Sequence, residues 1–125
     1  MKEVHTNKAP EAIGPYSQAI QAGGFTFVSG QIGIDPSSGN VVDGIEKQTH
    51  QVLSNLQEIL KASDLDFSNV VKFTIYLANI KDFDVVNEIY GSYLEQPYPA
   101  RATIEVSRLP KDVLVEMDAI AYKKP

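Results

Sequence analysis

Arg101, Thr103 and Glu105 alternate along Pro99-Ala100-Arg101-Ala102-Thr103-Ile104-Glu105-Val106, and Glu116 and Asp118 alternate along the segment 113–122. In a strand, such spacing sends every second side chain to the same side. An arginine in this setting offers a planar, permanently charged fork that matches a carboxylate through two parallel hydrogen bonds. A glutamate accepts protons and orients water. If Leu109-Pro110-Lys111-Asp112 makes a tight connection that pairs Arg108 with Val113, then Glu105 faces Glu116 and Thr103 faces Asp118. Arg101 and Glu116 would then share one face and one cleft, a carboxylate grip beside a hydrolytic base. Alternation alone is equally compatible with paired surface charges. Taken singly, Tyr16 after Gly14-Pro15 fits turn packing, Ser29 before Gly30 fits a strand end, and Asn87 fits a helix surface. Lys72 fits an exposed position on a strand's polar face rather than a Schiff-base lysine, and His50 fits a solvated helix face.

The elements that would position these groups are legible as patterns. Residues 17–22 and 25–31 read as a hairpin about Gly23-Gly24, a dipeptide that tolerates hairpin dihedrals. Asp35-Pro36-Ser37-Ser38-Gly39-Asn40 is dense in turn formers. Ile45, Val52, Leu53, Leu56, Ile59 and Leu60 recur at helical spacing over 44–62, with Asp43 as cap and Glu46 reaching back. Residues 70–77 alternate, with Val71, Phe73, Ile75 and Leu77 on one face and Val70, Lys72, Thr74 and Tyr76 on the other. A second helix over 82–94 carries Phe83, Val86, Ile89, Tyr90 and Tyr93 as its apolar stripe and Asp82 as its cap. Strands over 101–108 and 113–122 complete the order ββαβαββ.

That order predicts an α+β fold with both helices on one face of a sheet. The other face is expected to carry Lys72, Thr74, Tyr76, Arg101, Thr103, Glu105, Leu114, Glu116 and Ile120. This mixture is too apolar for bare solvent and too polar for a core, so the expectation is a homo-oligomer.

The 125 residues, 43% hydrophobic and 22% charged, are expected to form a single domain over 1–125. Eleven basic and 16 acidic side chains give a net charge of −5, which argues against nucleic acid as a partner. No apolar run approaches the roughly 20 residues of a membrane span, and the start lacks a signal-peptide pattern, so a cytoplasmic protein is expected. Zero cysteines remove disulfides and thiolate nucleophiles, and His5 and His50 stand too far apart for a local metal motif; metal-free chemistry is the default.

Asn7-Lys8-Ala9-Pro10, Ile13-Gly14-Pro15-Tyr16-Ser17-Gln18-Ala19, Val28-Ser29-Gly30-Gln31 and Pro99-Ala100-Arg101 resemble the RidA (YjgF-type) family. The similarity spans the chain and is most specific from Pro99 through Glu105-Val106-Ser107-Arg108-Leu109-Pro110 to Val115-Glu116-Met117. It implies a chorismate-mutase-like fold and a homotrimer with a central barrel and clefts between subunits. It also implies cofactor-free hydrolysis of 2-iminobutanoate and 2-iminopropanoate to 2-oxo acids and ammonia, which protects pyridoxal-phosphate enzymes. By the same resemblance Arg101 holds the substrate carboxylate with the backbone around Thr103 assisting, Glu116 positions or deprotonates water, and Tyr16, Ser29, Gly30 and Asn87 shape the cleft. Thr103 stands where many members carry cysteine. Two other functions stay open at this point: a binding module for 2-oxo acids and, third, a ribonuclease or translation inhibitor. The carboxylate of Glu116 favours the enzyme, because a pure anion sensor gains nothing from a like charge beside its ligand.

Overall fold

A computed structural model describes residues 1–124. Its strands are β1 (Lys2–Val4), β2 (Ala19–Ala22), β3 (Phe25–Ile32), β4 (Val70–Leu77), β5 (Ala100–Glu105) and β6 (Val115–Tyr122), and its helices are α1 (Gly44–Ala62) and α2 (Phe83–Ser92). The expected ββαβαββ order is present, preceded by β1, a short edge strand in what the sequence suggested was an irregular start. The sheet order is β1-β2-β3-β6-β4-β5, with β4 and β5 parallel and all other neighbours antiparallel.

Both helices cover one face of this mixed sheet. Val52, Leu53, Leu56, Ile59 and Leu60 of α1 and Val86 and Tyr90 of α2 are buried with Phe73, Ile75, Leu77, Val115, Met117 and Ala119 in one apolar cluster. The hairpin turns at Gly23, whose φ of +62° is the left-handed conformation glycine adopts without strain. Two expected caps differ. Asp43 precedes α1 but its side chain accepts no hydrogen bond from it, and the helix starts at Gly44 with a φ of +83°. Asp82 is itself in helical conformation; the chain enters α2 through a 3-10 turn capped by Asn79, which accepts from the Lys81 amide at 2.9 Å.

Two register details reshape the sheet faces. A bulge between Val70 and Lys72 exchanges the expected places of the first two residues of β4, burying Val70 and exposing Val71. The expected β5–β6 hairpin is absent, so Glu105 does not face Glu116 and Thr103 does not face Asp118. β6 runs between β3 and β4, where Glu116 is opposite Tyr76 and Asp118 opposite Thr74. Residues 106–114 therefore pass over the end of β4 and span two strand spacings, roughly 9–10 Å, which a tight turn cannot reach. The Val106 amide donates to the Leu77 carbonyl at 2.9 Å and Ala78 to Leu114 at 3.1 Å, fastening this crossover.

Candidate functional site

Arg101 lies on β5, the edge strand, opposite Phe73 of β4. Phe73 is fully buried under the helices, so Arg101, Thr103 and Glu105 lie on the helix-covered side, not on the open face where alternation alone put them. Tyr76, the partner of Glu116, is three residues from Phe73, and an odd separation along a strand reverses the direction of the side chain. Arg101 and Glu116 of one chain consequently project from opposite faces of the sheet. The expectation that both line one cleft of a single chain is corrected by this topology.

Around Arg101, α2 supplies a fixed setting. Nη1 donates to Oδ1 of Asn87, and the guanidinium carbon stands 5.5 Å from the centre of the Phe83 ring and 5.1 Å from that of Tyr90. Two rings and an amide thus limit the rotamers of a long side chain while leaving its outer edge free. The adjoining cavity, of about 390 Å³, is lined by Asn87, Tyr90, Gly91, Tyr98, Pro99 and Arg101. Tyr90 Oη, on a side chain that lines this cavity, and Thr103 Oγ1, two residues from Arg101 on the same face of β5, are buried without a hydrogen-bond partner among the described residues. Burial raises the Tyr90 hydroxyl above its ordinary pKa, against a smaller opposite effect of Arg101, so it remains a donor at neutral pH. Unpaired buried hydroxyls are costly, and that of Tyr90, whose ring packs against Arg101, is a donor for which a ligand carboxylate would supply an acceptor.

Tyr16, Ser29, Gly30 and Glu116 gather elsewhere, in a cavity of about 600 Å³ that also involves Ile13 and Lys111. Gly14, at φ +126°, turns the chain so that the Tyr16 amide donates to the Gly14 carbonyl at 2.9 Å, leaving the ring half exposed at the rim. Ser29 is pinned by its own hydroxyl, which donates to the Ser17 carbonyl at 2.6 Å. Gly30 sits in a β-bulge between Val28 and Gln31, and a Cβ there would fall 2.3 Å from Glu116 Oε2. Only glycine lets the carboxylate lie against this backbone. Glu116 is half-buried, and its carboxyl is held above the usual carboxylate range first by burial and then by the charge of Asp118. A carboxyl so placed binds a proton more readily than a free one and is suited to exchanging it with a neighbouring water.

Buried amides on α1 support this second cavity. Asn55 donates to the Ile32 and Ile34 carbonyls at 3.2 and 3.0 Å, and Gln48 accepts from the Leu114 amide at 2.8 Å while donating to Val42 at 3.1 Å. These two residues, with Phe83 and Tyr90, escaped the residue-level reasoning because each sits on a helix face that reads as core or surface. His50 is exposed, as expected, and its Nδ1 also lies 2.7 Å from the Tyr93 hydroxyl. Lys72 is exposed, as expected. Among the described residues, no group of three His, Cys, Asp or Glu could hold a metal ion, and no helix is long and apolar enough to cross a membrane.

Residues 6–123 match the family described as Endoribonuclease L-PSP. A RutC family protein of Pyrococcus horikoshii is 54% identical over 99% of this chain and 100% of its own length. A 2-iminobutanoate/2-iminopropanoate deaminase of Mus musculus is 51% identical over 99% of this chain and 93% of its own. Among solved structures, RidA from an Antarctic Psychrobacter superposes with a TM-score of 0.96 at 40% identity, over 98% of this chain and 100% of that one.

Proposed function

The chain belongs to the Endoribonuclease L-PSP family, which takes in the RidA proteins, and on that premise we propose that it is a 2-iminobutanoate/2-iminopropanoate deaminase. The observation that carries this reading is the half identity to mammalian deaminases along nearly the whole chain, 51% for mouse and 50% for human. The reaction adds water across the C=N bond of a 2-imino acid and expels ammonia, leaving a 2-oxo acid. Arg101, steadied by Asn87, Phe83 and Tyr90, holds the substrate carboxylate, and the Thr103 segment beside it completes that end. Glu116 takes a proton from the attacking water and passes it to the nitrogen, giving a tetrahedral carbinolamine. It then takes the hydroxyl proton and delivers it to the nitrogen as the C–N bond breaks, so that ammonia leaves and the C=O forms. An imine carbon is already electrophilic, so orientation and proton transfer are the main requirements and no covalent nucleophile enters.

Arg101 and Glu116 face away from each other within one chain, so the proposed site is composite. One subunit contributes Arg101, Asn87 and Thr103, and its neighbour contributes Tyr16, Ser29, Gly30 and Glu116. A cyclic homotrimer, its open sheet faces lining a central barrel, repeats this contact three times and leaves no half-site unpaired. The exposed Phe25, Phe27, Ile104 and Tyr122 on the open side of the sheet supply apolar area for such an assembly. The chain is proposed to act as one domain in the cytoplasm, where its imine substrates would arise.

The test generates the imine in situ and follows 2-oxo acid release with semicarbazide competing for free imine. Acceleration by the wild type is expected, and no acceleration rejects the deaminase and favours a 2-oxo-acid binding module. Sedimentation should give three times the 13.7 kDa of the chain, and a monomeric mass rejects the composite site. The net charge of −5 disfavours RNA as substrate, despite the family's description.

A further inference from the structure

The open face of the sheet holds a second polar pair beside Glu116 that the reaction outlined above does not use. In the β4–β6 register Tyr76 lies directly opposite Glu116, and Asp118 is two residues along the same face. Tyr76 nevertheless reaches diagonally, and its hydroxyl donates to Asp118 Oδ2 at 2.9 Å. The Glu116 carboxylate makes no intrachain ion pair among the described residues. The titratable or charged groups around it are Asp118 on its own strand, Tyr76 on β4, Glu11 and Tyr16 on the N-terminal segment and Lys111 on the Pro110–Asp112 turn. Gly30 of β3 lies against it and carries no charge.

We propose that Asp118 and Tyr76 are positioning residues that tune the Glu116 carboxyl for proton transfer, a role that rests on Glu116 being the base. Carboxylates two residues apart on one strand face have Cα atoms roughly 6.5–7 Å apart, inside a Debye length at physiological salt, so each feels the charge of the other. Asp118 makes Glu116 harder to ionise, in line with its place as the second cause, after burial, of that carboxyl's raised value. The Tyr76 hydroxyl draws charge from Asp118 and so limits the push. The arrangement gives Glu116 a proton affinity between that of a free carboxylate, too weak a base, and that of a fully repelled one, too slow to release its proton.

The two groups act in opposite senses, and that makes the pair testable. Activity needs the ionised Glu116, so kcat/KM rises with pH through its titration. Asp118→Asn removes the repelling charge and should move this acid limb to lower pH. Tyr76→Phe leaves Asp118 fully charged and should move it to higher pH. At one pH unit below the wild-type midpoint, and relative to each protein's own plateau, we expect about threefold more activity for Asp118→Asn and about threefold less for Tyr76→Phe. The double variant should follow Asp118→Asn alone, since Tyr76 acts through Asp118. Carbon-13 NMR titration of the Glu116 carboxyl in each intact protein should show the same displacements. Shifts in the same direction for both variants, or a Glu116 titration that neither variant moves, overturn the proposal. Full activity in Glu116→Gln would instead defeat the assignment of Glu116 as base, and the NMR titrations would still decide whether the pair tunes it.

Discussion

Replacing Arg101 with lysine keeps the positive charge and removes what the structure gives the guanidinium. The planar group now rests 5.5 Å from the Phe83 ring centre and 5.1 Å from that of Tyr90, with one edge on Asn87. Cation–π contact at an exposed site contributes about 0.5–1 kcal/mol, and the second hydrogen bond of a bidentate carboxylate pair about 1.5 kcal/mol or more. An ammonium on a flexible stem keeps the Coulomb attraction and gives up most of both. The expected loss of transition-state stabilisation is about 2 kcal/mol, or roughly thirtyfold in kcat/KM. The assay is 2-oxobutanoate release from in situ 2-iminobutanoate at several substrate levels, beside calorimetric binding of 2-oxobutanoate, which should weaken as well. Arg101 is exposed on an edge strand, so the thermal midpoint should barely move. A change of less than twofold in kcat/KM, or a large fall in thermal stability accounting for the loss, would remove Arg101 from the carboxylate-binding role.

Glu116→Gln should lower kcat by at least about a hundredfold while changing 2-oxobutanoate affinity severalfold at most, because it preserves shape and removes the base; parallel kinetics and calorimetry check this. Gly30→Ala should reduce kcat/KM about tenfold or more and cost about 1 kcal/mol of stability or less, since the new methyl meets the movable end of Glu116, 2.3 Å away, and not backbone. Kinetics and a melting curve on one preparation decide it. Thr103→Val should leave the unliganded protein as stable or more stable, because it removes a buried hydroxyl that has no partner, yet weaken 2-oxobutanoate binding severalfold if that hydroxyl meets the ligand. Equal affinity for both proteins would leave Thr103 to act through its backbone alone.

The helices and most strands were legible because periodicity reports burial directly. α1 matches its expected span, as does β4, and both helices lie on one sheet face. What failed was pairing. Nothing in the spacing of Arg101 and Glu116 says whether their strands are neighbours, and the short Leu109–Asp112 segment invites a hairpin where the chain makes a crossover. Inserting β6 between β3 and β4 exchanges the face of every side chain on β5 relative to that expectation, because the register of β5 is set by β4 and not by β6. The Val70 bulge does the same for two residues at the start of β4. In each case the deciding contact is nonlocal, and a window of ten residues does not contain it.

That same displacement gives the candidate site its logic. On an edge strand, Arg101 can lie against α2 and still present its outer edge beyond the chain that carries it. Glu116, on a strand inside the sheet, lies against β3 where a β-bulge and Gly30 make room for its carboxylate. Had β5 and β6 formed the expected hairpin, Arg101 would lie opposite Ile120 and diagonal to Asp118, on the same face as both acidic groups, and the guanidinium would be drawn to Asp118 rather than left for a substrate carboxylate. Placing Arg101 on the face opposite Glu116 and Asp118 prevents pairing with either carboxylate of its own chain. In the proposed assembly Arg101 and Glu116 meet across a subunit boundary, with the substrate carboxylate and a water between them. A free chain should therefore be inactive for a geometric reason, and dilution below the trimer's dissociation range should abolish turnover while the fold of each chain persists.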